Sequence, residues 1–267
     1  MWVALDPHAP EGFIVGSFAD DPFDLCRDYV RDRLGWESPR FRARVRDAKP
    51  SDPKRDMSAE QRRGLALAIF KDAKPLAGTP GERYLIARSG TAPAVWPDDL
   101  RFHPRCRRRV DDHVEEHPAV VALLRDIHTD EPRAIQRIFL KTDGTDRLRD
   151  PKGKATLGSA TGAVVKLTPD EDVTFGLGII EGVEKGLAVL AAGWSPIWVT
   201  CGTSGMSSFP CLAGIEALSI FADSDESGQR AAHVAARRWA EDDKHVRIVT
   251  PATRGADWGD VLAGPAR

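Results

Sequence analysis

The chain has 267 residues, a net charge of −2, and 42% hydrophobic and 29% charged residues, an ordinary balance for a globular protein and not that of a disordered or collagen-like one. It contains no apolar run of about 18 residues, which excludes a membrane-spanning helix, and its opening MWVALDP lacks the charged-then-apolar layout of a signal peptide. Cys26, Cys106, Cys201 and Cys211 stand without CxxC spacing, which argues against a zinc ribbon or a disulfide framework and for a reducing, cytoplasmic setting.

In chain order, Val3–Leu5 and Phe13–Phe18 are strand-like, with Pro7, Pro10 and Gly12 between them, and Asp24–Leu34 has helical spacing. Residues 1–50 are therefore expected to form a hairpin and a helix. The polar, proline-bearing stretch 47–57 is the expected linker. Ser58, with Gln61 three residues on, is a capping-box pattern that opens a helix to about Asp72. Thr79-Pro80-Gly81-Glu82 opens a shorter helix ending near Gly90, with proline at its first position. Residues 93–168 read as strands and loops: Val120–Asp126, Ala134–Leu140 and Val164–Leu167 are strand candidates, and Asp143-Gly144 marks a turn.

From residue 174 the pattern alternates: strand 174–180, helix 182–192, strand 196–200, helix 205–213, strand 217–222, helix 227–241, strand 245–249. Such alternation with short connections implies an α/β fold, a parallel sheet with helices on its faces. The acidic stretch 169–172 is the expected second junction, which gives three parts: 1–50, 58–168 and 172–264.

The acidic residues carry the chemistry. Glu181-Gly182 follows the apolar run 175–180, and Asp223-Ser224-Asp225 follows the run 217–222. Carboxylates at the carboxyl ends of parallel strands lie on the rim where open α/β sheets bind ligands. Several on one rim repel one another unless a cation lies between them, and an oxygen-only set suits Mg²⁺. The implied chemistry is metal-assisted phosphoryl transfer on a nucleotide or nucleic acid. Asp257 and Asp260 are three apart and could join the site from one helical turn; Gly182 and Gly228 permit close backbone approach.

Each feature has a plainer alternative. Glu181 could simply favour a helix N-terminus, Asp223 and Asp225 could form an Asx-type turn, and Asp257 and Asp260 could cap a helix. Two acidic clusters on neighbouring strand ends favour the metal. Glu184 and Glu226 are expected to support the site or face solvent. Zinc is not expected at His103, Cys106, His113 and His117, whose spacing matches no zinc pattern and whose arginine neighbours oppose a cation. The clusters Arg40–Arg46 and Arg101–Arg109 read as solvated surface, or as what a polyanion needs. Trp96 and Trp258 could stack on bases, but burial is the simpler expectation.

The order strand, Glu-Gly, helix, strand, helix, strand, Asp-x-Asp, Gly and helix over about residues 172–262 resembles the Toprim domain of primases, topoisomerases and some nucleases. Upstream, GTPGERYLIARSG (78–90), LRFHP (100–104), HPAVVALLRDI (117–127), RAIQRIFLKTDG (133–144) and LGSATGAVVKL (157–167) resemble plasmid- and phage-type primases or primase-helicases, as does the closing ADWGDVL (256–262). The zinc-ribbon cysteines of bacterial primases are absent, so residues 1–50 read as a ribbon remnant without ligands. The span Asp257–Asp260 is also wider than the family's usual Asp-x-Asp.

The resemblance implies a C-terminal Toprim domain of Rossmann-like parallel sheet and an N-terminal mixed α/β portion. It implies a primase-like nucleotidyltransferase that uses Mg²⁺ or Mn²⁺ to make short primers on single-stranded DNA in phage, plasmid or mobile-element replication. Glu181, Asp223 and Asp225 would be catalytic metal ligands, joined by Asp257 or Asp260. Arg137, Lys141, Lys152 and Lys154 would hold template or nucleoside triphosphate. A replicative helicase is the implied partner, with no membrane association. A Toprim nuclease and a non-catalytic DNA-binding adaptor are the alternatives. With only Tyr29 and Tyr84 in the chain and no module to place a catalytic tyrosine, a topoisomerase is disfavoured.

Overall fold

The structure is a computed structural model that describes residues 2–5, 13–16, 23–33, 57–110, 113–149, 153–251 and 258. The chain divides into two compact units, Met1–Asp56 and Met57–Arg267. In the first, β1 (Trp2–Leu5) pairs antiparallel with β2 (Phe13–Gly16), and α1 spans Phe23–Arg33. Alternate residues of β2, Phe13 and Val15, meet Cys26 and Val30, one helical turn apart on α1. This is the hairpin and helix that the sequence predicts.

The second unit opens with α2 (Ala59–Asp72), β3 (Lys74–Pro75) and α3 (Pro80–Ser89). Ser58 and Gln61 form the expected reciprocal capping box at the start of α2. Ser58→Ala is expected to cost about 1 kcal/mol, read as a lower denaturant midpoint at unchanged slope. At α3 the Thr79 hydroxyl accepts from the Glu82 N–H, while the Glu82 carboxylate takes the Gly78 N–H and the Trp96 indole N–H. Gly90 ends α3 in the left-handed region, at φ 84°, where glycine carries no Cβ penalty.

There follow β4 (Leu100–Val110), β5 (His113–Asp126), β6 (Pro132–Phe139), β7 (Lys154–Gly158) and β8 (Ala163–Lys166), then β9 (Gly176–Ile180), α4 (Val183–Ala191), β10 (Ile197–Val199), α5 (Thr203–Ser207), β11 (Ala217–Phe221), α6 (Glu226–Glu241) and β12 (His245–Val249). One ten-stranded sheet runs β12-β11-β9-β10-β8-β5-β4-β3, with β6 pairing β5 and β7. The strands β12, β11, β9 and β10 are parallel; all other pairings are antiparallel.

Strand alternation distributes the core over both faces of the parallel part. Leu177 and Ile179 of β9 and Leu218 and Ile220 of β11 pack with Met206 of α5 and with Ala231, Ala235 and Trp239 of α6. Ile180 and Phe221 point the other way, to Val183 and Leu187 of α4 and on to Tyr84 and Leu85 of α3. The α5 helix stops at Ser207, short of the predicted 213, because Pro210 lacks the N–H a helix needs and restrains the residue before it.

From β9 the chain crosses to β10 by way of α4 on one face. From β10 it returns past β9 to β11 by way of α5 on the other. The strand order thus reverses between β9 and β11, the switch point at which open α/β sheets form their ligand crevice. Glu181 and Asp223 leave the ends of those two strands.

Candidate active site

Glu181 follows β9 directly, is half-buried, and accepts no hydrogen bond from the described residues. Burial pushes its carboxyl above the ordinary range; the Lys185 ammonium pulls it back, and the negative charges of Asp223 and Asp225 push it up again. The three acids therefore share one electrostatic neighbourhood.

Asp223 is 9% exposed, and its Oδ2 is paired with the ammonium of Lys185, in the first turn of α4. Its backbone carbonyl accepts from Gln229 Nε2 at 2.7 Å, which ties the loop to α6. Asp225 is exposed and caps α6, with Oδ1 accepting from the Gly228 N–H at 2.7 Å and the Ser227 hydroxyl at 2.8 Å. Those bonds hold its carboxyl below the usual range. Alternate residues of an extended strand would share one face, but β11 ends at Phe221: Asp223 turns inward and Asp225 caps α6. A Cβ at Gly228 would sit 3.2 Å from Asp223 Cβ, so the residue keeps this turn tight. At Gly182 nothing lies within 3.7 Å of such a Cβ, which leaves the backbone open to an approaching ligand.

Beside Glu181 lies a cavity of about 430 Å³. Glu181, Gly182 and Lys185 form one wall; Lys154 and Thr156 of β7 and Gln136 of β6 form another, with Arg88 and Arg147 at its margin. Beneath it Glu184 is buried, accepting from the Lys154 ammonium at 2.9 Å and the Tyr84 hydroxyl at 2.8 Å. Burial alone would raise the Glu184 carboxyl, but the Lys154 charge and hydrogen bond, with the Tyr84 bond, hold it at about 2. The Tyr84 phenol is correspondingly pushed up, first by burial and then by Glu184. This buried cluster fastens α4 to β7 and α3.

Of the basic residues singled out in the sequence, Lys154 reaches this cavity. Arg137 does not. Neighbouring residues of β6 face opposite sides, and Gln136 takes the cavity side. Arg137 lies 5.4 Å over the Phe139 ring, donates to the Arg107 carbonyl, and lines a separate cavity of about 690 Å³ beside Arg105, Arg107 and Arg109. Lys141 is exposed on the loop after β6. Lys152, Asp257 and Asp260 lie outside the described residues, as does the cluster Arg40–Arg46.

Trp258 is buried against Phe221, and its indole N–H donates to the Ala222 carbonyl at 3.2 Å, next to Asp223. Trp96 is partly buried against the same core. His103 faces Asp72, and His117 faces Glu115. Glu226 is exposed and paired with Arg230.

Sequence reasoning missed Lys185, Tyr84, Arg88, Arg147 and Gln136. Lys185 was open to discovery, since a lysine in the first turn of the helix that follows an acidic strand end lies close to that rim. Tyr84 was not, because it meets Glu184 across one hundred residues of chain.

Among the described residues, no three His, Cys, Asp or Glu side chains are arranged to hold a metal ion as they stand. The donor chemistry nonetheless fits Mg²⁺ or Mn²⁺: carboxylate oxygens only, one of them on Glu181 without a hydrogen-bond donor, and a cationic ammonium already lodged against Asp223. Glu181 and Asp223 would hold the ion, with Asp225 joining on leaving its cap.

Residues 176–265 match the Toprim domain family, and residues 60–167 match a domain family of unknown function, DUF7146. No curated protein matches the sequence at a significant level. The fold is similar to that of a DNA primase domain from Pseudomonas aeruginosa, at TM-score 0.52 and 15% identity over 74% of this chain and 73% of that one. The primase fragment of the bacteriophage T7 primase-helicase aligns at TM-score 0.45 and 17% identity, over 71% of each chain. A DnaG primase catalytic domain bound to single-stranded DNA aligns at 0.49 and 13%, over 75% of this chain and 74% of that one. The matched Toprim segment holds β9 to β12 and the Glu181–Asp223 rim, and the upstream strands continue the same sheet in a fold similar to that of the Pseudomonas aeruginosa primase domain.

Proposed function

We propose that the protein is a primase-like nucleotidyltransferase, dependent on Mg²⁺ or Mn²⁺, that joins nucleotides into short primers on single-stranded DNA. The observation that carries this reading is the cavity that Glu181, within the electrostatic reach of Asp223, lines together with the cationic side chains of Lys154, Arg88 and Arg147. Such a site suits a group that is both metal-bound and polyanionic, and a nucleoside triphosphate is one.

In this reading the cationic wall binds and orients the triphosphate. The 3′-hydroxyl oxygen of one nucleotide forms a bond to the α-phosphorus of the next, and the bond to pyrophosphate breaks. The bound ion would lower the hydroxyl's pKa and neutralise charge on the leaving group. Glu181 would serve either as a ligand of that ion or as the acceptor of the hydroxyl proton. Gly182 leaves the backbone open to the phosphate side. Residues 58–168 and 172–264 would be the primase-like and Toprim subdomains, joined through one sheet. Phage, plasmid or mobile-element replication beside a helicase, in the cytoplasm, is the proposed setting.

The test is incubation with single-stranded DNA, labelled nucleoside triphosphates and Mg²⁺ or Mn²⁺. Labelled oligomers of a few nucleotides are the expected product. Shortening of the DNA without new oligomers would replace this reading with the hydrolytic one. DNA binding with neither product would replace it with a non-catalytic adaptor.

A further inference from the structure

Lys185 occupies a position that none of the motifs explains. It lies in the first turn of α4, and it lines the same cavity as Glu181, close enough to act on that carboxylate. Its ammonium is paired with Asp223 Oδ2, and after burial it is the strongest influence on Glu181. Asp225 is satisfied elsewhere, by the first turn of α6. Asp223 has no such provision: its side chain is 10% exposed, and Lys185 supplies its ion pair. A carboxylate buried to that degree beside two others is costly without a cation.

We propose that Lys185 is a built-in counter-cation of the acidic rim that yields Asp223 when a divalent ion enters. The inference rests on the metal-binding reading of Glu181 and Asp223 and adds to it a competitor within the chain. A divalent ion held by Glu181 and Asp223 would repel an ammonium on the same carboxylate, so divalent binding favours displacement of the ammonium. The Lys185 stem is 22% exposed and lines the cavity, so the displaced ammonium has somewhere to go: towards the space between Lys154 and Arg147 where an anionic ligand would lie. Metal and anion binding would then favour each other, because entry of the first releases a cation to the second.

The test is Mn²⁺ binding to the full chain, measured by titration calorimetry and by the loss of the free Mn²⁺ electron-spin signal. The proteins compared are the wild type, Lys185→Met, Lys185→Arg and Asp223→Asn. Methionine keeps the length and helix propensity of lysine and adds no oxygen ligand. Lys185→Met is expected to bind Mn²⁺ at least about tenfold more tightly than the wild type, since one adjacent positive charge has been removed. Lys185→Arg should stay within about threefold of wild type, and Asp223→Asn should lose the site. Equal or weaker binding by Lys185→Met, with wild-type binding still lost in Asp223→Asn, would overturn the role of Lys185 and leave the metal site standing. Absence of binding in every protein would overturn both. If Lys185→Met proves unstable without metal, the rise in Tm on adding Mn²⁺ decides: a larger rise than in wild type supports the exchange, and an equal or smaller one overturns it.

Discussion

Asp223→Asn is expected to abolish metal-dependent nucleotide transfer, by about a hundredfold to a thousandfold or more, while the protein still folds. The substitution keeps the shape of the side chain and removes one negative charge from the rim. Asp223 follows β11 at the switch point, and its carbonyl bond to Gln229 and the packing around Gly228 do not depend on that charge. What is lost is the oxygen best placed, with Glu181, to share a cation. The freed Lys185 is partly exposed and can turn to water, so the change in Tm should be small. Circular dichroism and a melting curve check the fold, and single-turnover incorporation of a labelled nucleotide checks the rate. A variant that retained wild-type incorporation would remove Asp223 from the chemistry.

The largest expected loss of stability near the site comes from Glu184→Ala. Glu184 is buried and joins three elements through Lys154 and Tyr84. Removing it strands a buried phenol hydroxyl and an ammonium that is one-third exposed. The cost should be about 3 kcal/mol, which corresponds to a fall in Tm of roughly 10 °C for a chain of this size. Tyr84→Phe removes one hydrogen bond and should cost about 1 kcal/mol. The two losses should be less than additive in the double variant, because they share a partner.

The cluster also predicts a pH dependence. The Glu184 carboxyl is held at about 2 in the folded protein against an ordinary 4.5. A depressed acid stabilises the fold above its unfolded value, and that contribution fades as pH falls from about 4.5 through 2. Glu184→Ala should therefore flatten the wild-type loss of stability in that window. Denaturant unfolding at several pH values would show it; a variant as stable as wild type, with the same acid profile, would contradict the account.

Much of the Toprim part was legible because its strands are short apolar runs between turn signals and its helices have clear periodicity. Glu181 and Asp223 could be placed on the rim for the same reason, since each follows the end of a short apolar strand. Elsewhere physics hid the pattern. The strand β4 reads LRFHPRCRRRV, with five arginines and a proline, and it does not look like a strand. Its inward positions include Arg108, which is buried near the Phe139 ring and paired with Glu115, and a bulge between His103 and Cys106 shifts the alternation.

The basic residues were harder still. Gln136 and Arg137 are adjacent, and only the register of β6 against β5 and β7 decides which one faces the cavity. Sequence alone favoured the charged residue; the sheet turned it to the opposite face. Arg88 and Arg147 reach the cavity from α3 and from the loop after β6, a convergence no local spacing encodes. The capping role of Asp225 has a local cause, since the first turn of α6 offers its carboxylate donors at hydrogen-bond distance.

The most direct test of the central claim, that the Glu181–Asp223 rim is a divalent-metal centre for phosphoryl transfer, is anomalous scattering from crystals of the full chain grown with Mn²⁺. The account predicts a manganese peak bridging the carboxylates of Glu181 and Asp223, with the Lys185 ammonium turned away. Strong manganese peaks elsewhere, for instance among Asp98, Asp170 and Asp172, with Lys185 still on Asp223 and no peak on the rim, would contradict it.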